Sequence, residues 1–172
     1  MTRTARIVVA LWLAGACGLR ANDPVADLRA RHLSIPVQGM TLSALRNSFA
    51  DARDRTRQHE AIDIPAPRGT PVLAVEDGII EKFFTSVRGG LTIYQFDPSR
   101  TYAYYYAHLD RYQPGLKEHE RVKRGQVLGF VGTTGNAPPN APHLHFGIFL
   151  LTDKKNWWQG AALNPYDVWI TR

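Results

Sequence analysis

The sequence predicts a mainly antiparallel β domain, of the sheet, barrel or sandwich type, with little helix. The chain of 172 residues contains 14 Gly and 11 Pro, which favours many turns. From Ile62 onward, short apolar runs alternate with Gly- and Pro-containing breaks, as in strands joined by tight connections. After residue 50 no segment has the i, i+3, i+4, i+7 spacing of a long amphipathic helix. The length suits one domain with its own core.

The first sixteen residues resemble a secretory signal. Two arginines precede residues 7–16 (IVVALWLAGA), an apolar run that is too short for a stable membrane anchor. Two processing routes fit: cleavage after the small-x-small triplet 14–16, or lipidation of Cys17, the only cysteine. Ala14 stands where a lipoprotein signal usually has Leu, which weakens the second route. We therefore expect an exported protein, periplasmic or anchored as a lipoprotein facing the periplasm, with a linker over 17–33 and the domain over 34–172.

The remaining elements follow from local patterns. Thr41 is a candidate N-cap for one or two helical turns over 41–49. Asp77-Gly78 predicts a hairpin between strands at 72–75 and 79–85. Further strands are predicted at 91–96, 101–108, 127–131 and 143–150, with a turn at 88–90, another at 97–100 and a long loop over 132–142.

Charge adds a minor clue about partners. Lys and Arg number 21 against 15 Asp and Glu, a net charge of +6 that falls to +4 once the two arginines of the signal are removed. The basic residues are scattered rather than aligned along one predicted helix, so we predict no nucleic-acid partner. The surplus suits an acidic polymer, although it also fits a small protein that is merely kept soluble.

Histidines and one aspartate indicate the chemistry. His59 and Asp63 lie four residues apart, before a Pro-rich turn, and His143 and His145 lie two apart in a predicted strand, on one face and about 6–7 Å from each other. That distance suits one metal ligand and one neighbour that faces a water on the metal. Two His and one carboxylate form a common catalytic zinc site with an open fourth position. With His108, these residues indicate a zinc hydrolase, whereas either short motif alone is more often structural.

Several motifs in one order resemble the lysostaphin/LytM-type zinc endopeptidases. They are residues 59–72 (HEAIDIPAPRGTPV), 74–78 (AVEDG), 106–109 (YAHL), 122–126 (VKRGQ), 142–146 (PHLHF) and the closing 163–166 (LNPY). The resemblance implies a groove across a β-sheet and one zinc ion per chain, with His59, Asp63 and His145 as ligands. It implies that His108 and His143 orient and deprotonate the attacking water, without saying which is the base.

The implied function is hydrolysis of the peptide cross-links of bacterial peptidoglycan, by a chain that we expect to be monomeric. A catalytically latent binding protein or hydrolase activator on the same fold is the alternative, and the five intact polar positions favour activity. A biotinyl or lipoyl carrier hairpin at 72–83 is excluded because its tip has no lysine. Ala61 departs from the usual His-x-Gly-x-Asp motif and would be strained if that position required a positive φ. Tyr94, Tyr102, Tyr104, Tyr105, Trp157 and Trp158 are candidates for lining the groove.

Overall fold

The computed structural model describes residues 23–52 and 58–170. The predicted signal and Cys17 lie outside these ranges. Within the described residues, no helix has the length and the hydropathy that crossing a lipid bilayer requires. The two α-helices and one turn of 3-10 helix (Leu42–Ala44) are all short, and Thr41 occupies the N-cap position of that turn without a capping side-chain bond.

Nine strands and two helices make up the described fold. The helices are α1 (Pro24–Ala30) and α2 (Pro165–Trp169). The strands are β1 (Ile62–Pro65), β2 (Pro71–Leu73), β3 (Gly78–Ser86), β4 (Gly90–Phe96), β5 (Tyr102–Tyr112), β6 (Arg121–Val122), β7 (Val127–Val131), β8 (His143–Leu151) and β9 (Gly160–Leu163).

All strand pairs are antiparallel, which confirms the predicted fold class. The main path through the sheet runs β1-β8-β5-β4-β3-β6, with β7 pairing β2 and β5, and β9 pairing β8. Strands β1 and β6 at the ends of this path do not pair with each other, so the sheet is not a closed barrel.

The predicted hairpin at Asp77-Gly78 is wrong. Strand β2 pairs with β7, whereas β3 pairs with β4 and β6. The Asp77 carboxylate instead accepts the Arg124 backbone N–H at 2.9 Å and contacts the Lys123 ammonium at 2.8 Å. A side chain at Gly78 would overlap the backbone of Phe96. The Asp-Gly pair therefore forms a bend, and its glycine lets two strands pack closely, but it does not form a two-residue hairpin turn.

The N-terminal segment packs on the domain. Leu28 of α1 is fully buried in the main hydrophobic cluster. Arg31 extends its guanidinium to the buried Asp97 carboxylate at 2.9 Å and to Glu76 at 3.3 Å. Burial opposes the charge of Asp97, but hydrogen bonds from Ser99, Tyr102 and Arg31 outweigh it and lower the pKa of this carboxyl group. Part of the segment predicted as a linker thus contributes to the core.

Side chains along the central strands point alternately to the two faces of the sheet, so the core and the site lie on opposite faces. Ile62, Phe146 and Tyr106 stand opposite one another on β1, β8 and β5, and all three are buried in the main cluster. Their chain neighbours Asp63 and His145 point to the other face, because successive side chains of a strand alternate. One face of the sheet therefore carries the main core, and the other carries the polar site residues together with a smaller apolar cluster of Phe96, Ala103 and Leu151.

Candidate metal centre

Strand register brings Asp63 and His145 together. The two residues are directly paired between β1 and β8, and His145 is paired in turn with Ala107 on β5. Residues that face each other in an antiparallel pair have Cβ atoms about 4.5–5.5 Å apart, within reach of a shared ligand. Ala107, which follows His145 across the sheet on β5, has only a methyl side chain and leaves space beside these two residues.

His59 reaches the same point from the segment before β1. Its backbone N–H donates to the Asp51 carbonyl at 3.0 Å, and its ring Nδ1 lies 2.8 Å from the Ser48 carbonyl oxygen. The Ser48 hydroxyl also accepts the backbone N–H of Asp63 at 3.0 Å. One serine outside the predicted site thus positions the histidine and the aspartate together.

Three ligand atoms form a nearly equilateral triangle. His59 Nε2 lies 2.9 Å from His145 Nδ1, and each of these nitrogens lies 3.0 Å from Asp63 Oδ1. Ligands at zinc distances of about 2.0–2.2 Å in tetrahedral geometry are separated by about 3.3 Å, so this triangle needs only slight expansion around an ion. The structure therefore brings His59, Asp63 and His145 together as a group that could hold a metal.

The chemistry of the three donors also fits a cation. A carbonyl oxygen only accepts, so His59 Nδ1 carries a ring hydrogen toward Ser48. Its Nε2 faces the Asp63 carboxylate, to which it donates when the ring is protonated, and it offers a lone pair to a cation when the ring is neutral. Burial would raise the pKa of Asp63, but hydrogen bonds with His145 and His59 hold it well below its usual range. One divalent ion can bind an ionised carboxylate and two imidazole nitrogens at once, and two His with one carboxylate are a common ligand set.

His143 and His108 stand beside this triangle. The His108 ring centroid lies 5.0 Å from that of His143 and 5.5 Å from that of His145. His143 Nε2 lies 3.7 Å from Asp63 Oδ1. The five polar residues singled out in the sequence are thus neighbours on one face of the sheet.

A backbone irregularity turns His108 toward the site. Tyr104 and Tyr106 point into the core, and strict alternation would send His108 there as well. His108 instead has φ +59°, and the pairing of β5 with β4 and β7 shifts register around Leu109. This bulge returns Leu109 to the core and directs the His108 imidazole to the polar face. A positive φ in a non-glycine residue is strained, and such strain concentrates at functional sites.

Hydrogen bonds fix the tautomers of both neighbouring histidines. His108 Nδ1 lies 2.8 Å from the Thr134 carbonyl oxygen, and His143 Nδ1 lies 2.8 Å from that of Ala141. Each Nδ1 therefore donates, and each Nε2 is left as the proton acceptor. Burial, with a contribution from His145 and His143, lowers the pKa of His108 to about 4, so this ring is neutral at pH 7.

The departure at Ala61 causes no strain. Ala61 does not have a positive φ and is buried with 1% exposure, whereas the neighbouring Glu60 has φ +56°. The kink that brings the chain into β1 therefore lies one residue earlier than the motif suggests, and the missing glycine at 61 leaves the loop geometry intact.

A cavity of about 310 Å³ opens beside the triangle. It is lined by His59, His108 and His145 together with Gln58, Arg88, Gly89, Tyr105 and Asn136. Sequence reasoning missed Gln58, Arg88 and Asn136, which lie in connections and belong to none of the matching motifs. Arg88 in the Arg-Gly-Gly turn was the detectable one, because a cation in a tight turn between two predicted strands is a candidate for function.

The candidate aromatic residues divide between the two faces. Tyr105 lines the cavity, with its ring centroid 5.9 Å from that of His145, and the tilted ring of Tyr94 packs beside it at 4.7 Å. Burial raises the pKa of Tyr94 to about 12. Tyr102 and Tyr104 belong to the core cluster instead. Trp157 packs on Tyr94 at 4.8 Å, and Trp158 beside it is 63% exposed.

The fold and the site place the chain in a known class of proteins. The profile of peptidase family M23 matches residues 57–165, which contain all five polar site residues. The chain belongs to this family.

Individual relatives agree with that membership. The chain is similar to the L-Ala–D-Glu endopeptidase of Bacillus subtilis (strain 168), with 33% identity over 147 residues, 81% of this chain and 43% of that protein. It is 38% identical over 100 residues to the peptidoglycan DD-endopeptidase ShyC of Vibrio cholerae, covering 58% of this chain and 22% of that protein. The catalytic domain of lysostaphin from Staphylococcus simulans superposes with a TM-score of 0.59 and 27% identity, covering 72% of this chain and 91% of that domain. The chain thus spans less than half the length of the first two relatives.

Proposed function

We propose that this protein is an exported zinc endopeptidase that hydrolyses peptide cross-links of bacterial peptidoglycan, with one zinc ion held by His59, Asp63 and His145. The observation that carries the proposal is the triangle of ligand atoms, each 2.9–3.0 Å from the other two, beside two imidazoles whose Nε2 atoms are set to accept protons. The relatives named as an L-Ala–D-Glu endopeptidase and as a peptidoglycan DD-endopeptidase support the substrate class.

The chain's own residues supply the proton transfers. Zinc, when bound, acts as a Lewis acid that lowers the pKa of water and polarises the scissile carbonyl. One of the two imidazoles, His108 or His143, accepts the proton of the attacking water at Nε2 and returns it to the leaving amine, because both Nδ1 atoms donate to backbone carbonyls. The neutral state of His108 at pH 7 keeps this nitrogen available.

Tyr105, on strand β5, forms part of the wall of the cavity. Its ring lies against His145 and Tyr94, so it forms a firm wall against which a peptide can be positioned. Positioning of this kind contributes to rate because the reacting atoms are held at attack distance. The protein would act outside the cytoplasm, as a monomer, either soluble in the periplasm or attached through a lipidated Cys17.

Digestion of purified peptidoglycan with and without a chelator tests this function. We expect new peptide ends that disappear when zinc is removed and return when it is restored. A protein that binds zinc but releases no ends would be the latent binding or activator form, and the endopeptidase proposal would then be wrong.

A further inference from the structure

Arg88 lines the cavity beside the candidate metal centre, and within the described part of the chain it has no ionic partner. Its guanidinium makes no ion pair and no side-chain hydrogen bond with any residue in 23–52 or 58–170. Other arginines differ: Arg31 contacts Asp97 and Glu76, and Arg68 and Arg111 share Asp110. Among the residues that the structure describes, no carboxylate neutralises the cation at this wall of the cavity.

The cavity is electropositive once a divalent ion is bound. Among the residues in 23–52 and 58–170, none that lines the cavity is acidic. The single carboxylate of the triangle, Asp63, only partly offsets an ion of charge +2, and Arg88 adds a further positive charge. A cleft lined by one sign of charge concentrates ligands of the opposite sign.

The turn that carries Arg88 is held rigidly against the site. The Asn136 backbone N–H donates to the Arg88 carbonyl at 3.0 Å, and the His108 N–H donates to the Gly89 carbonyl at 2.8 Å. Gly90 and Gly135 both have positive φ and lie so close that a Cβ at either would overlap the backbone of the other turn. The base of the Arg88 side chain is therefore fixed relative to His108, as a specificity residue requires.

We infer that Arg88 is a specificity-determining residue that binds a carboxylate on the peptide next to the scissile bond. The planar guanidinium matches a carboxylate through two parallel N–H···O bonds, and such charge-assisted bonds are about twice as strong as neutral ones. The preferred substrate is thus an acidic stem peptide rather than an uncharged glycine bridge. This inference rests on the proposed function and specifies that the substrate carries a negative charge near the cleaved bond.

The test uses two stem-peptide fragments that differ only in one group beside the cleaved bond, a free carboxylate or its carboxamide. The bond is first identified by mass spectrometry of a peptidoglycan digest. For the zinc-loaded wild-type chain we expect kcat/KM about tenfold or more higher for the carboxylate peptide. In Arg88→Gln the ratio of the two kcat/KM values should shrink to within about twofold, while the zinc content stays unchanged.

Arg121→Gln is the matched control. Arg121 is exposed and pairs with Ile79 near the start of β3. Arg88 follows Ser86 at the other end of this strand. At the rise of an extended strand, Ile79 and Ser86 are about 23 Å apart. This variant loses the same formal charge, so it should keep the full carboxylate preference. An equal fall in both variants would indicate a general charge effect and would overturn the assignment to Arg88.

A binding measurement separates this inference from the proposed function. If the wild-type chain cleaves neither peptide nor peptidoglycan, the endopeptidase proposal fails, and calorimetric titration of the two peptides into zinc-loaded protein then decides the inference. A tighter Kd for the carboxylate peptide that is lost in Arg88→Gln supports it. Equal Kd values for both peptides, or a preference that survives in Arg88→Gln, overturn it.

Discussion

Replacing Gly135 with alanine is expected to destabilise the protein and to slow cleavage, because Gly135 joins the two turns that hold His108. Gly135 has φ +75°, and an added Cβ would lie within 3.0 Å of backbone atoms of Arg88, Gly89 and Gly90. The left-handed conformation costs alanine about 1–2 kcal/mol, and overpacking adds about 1–3 kcal/mol. The expected loss in the free energy of unfolding is therefore about 2–5 kcal/mol.

Gly115→Ala separates the two contributions. Gly115 has φ +87°, but nothing lies within 4 Å of an added Cβ there, so only the conformational cost of about 1–2 kcal/mol applies. Urea unfolding of the zinc-loaded variants, followed by tryptophan fluorescence, gives both free energies. A displacement near 1 Å at His108 should also reduce kcat about 100-fold in Gly135→Ala alone. Equal stability losses in the two variants would refute the close packing of the turns.

Three further predictions concern the site and the buried ion pair. His145→Ala should abolish zinc binding, measured by metal analysis, and with it all cleavage. His108→Ala and His143→Ala should keep zinc but lower kcat about 100- to 10,000-fold, and loss of zinc from His143→Ala would contradict the assigned roles. Asp97→Asn should cost about 2–3 kcal/mol of unfolding free energy at pH 7 by leaving Arg31 without its nearest carboxylate. Because folding lowers the pKa of Asp97, the stability from its charge is present above about pH 4 and is lost below it, so thermal unfolding should show the two proteins converging in acid.

Local patterns in the sequence predicted most of the strands and pointed to residues that the structure places close together. Alternation along residues 143–150 is enough to place His143 and His145 on one face, and the structure keeps them there. The ordered motifs also point to His59 and Asp63, which meet His145 at about 3 Å.

Other features depend on contacts that are distant in the chain. At the bulge the His108 backbone N–H donates to the carbonyl of Gly89 on another connection, whereas periodicity alone would place this ring in the core. Asp77-Gly78 has the composition of a hairpin turn, yet Asp77 bonds to Lys123 and Arg124, far along the sequence. The role of Ser48, which holds His59 and Asp63 together, likewise has no local signal.

We propose that one zinc ion, held by His59, Asp63 and His145, drives cleavage of peptidoglycan peptides. Metal analysis of the purified chain, paired with digestion of purified peptidoglycan with and without a chelator, tests it most directly. We expect about one zinc per chain and new peptide ends that the chelator abolishes. A protein that takes up no zinc, or whose cleavage persists unchanged after the metal is removed, would contradict the account.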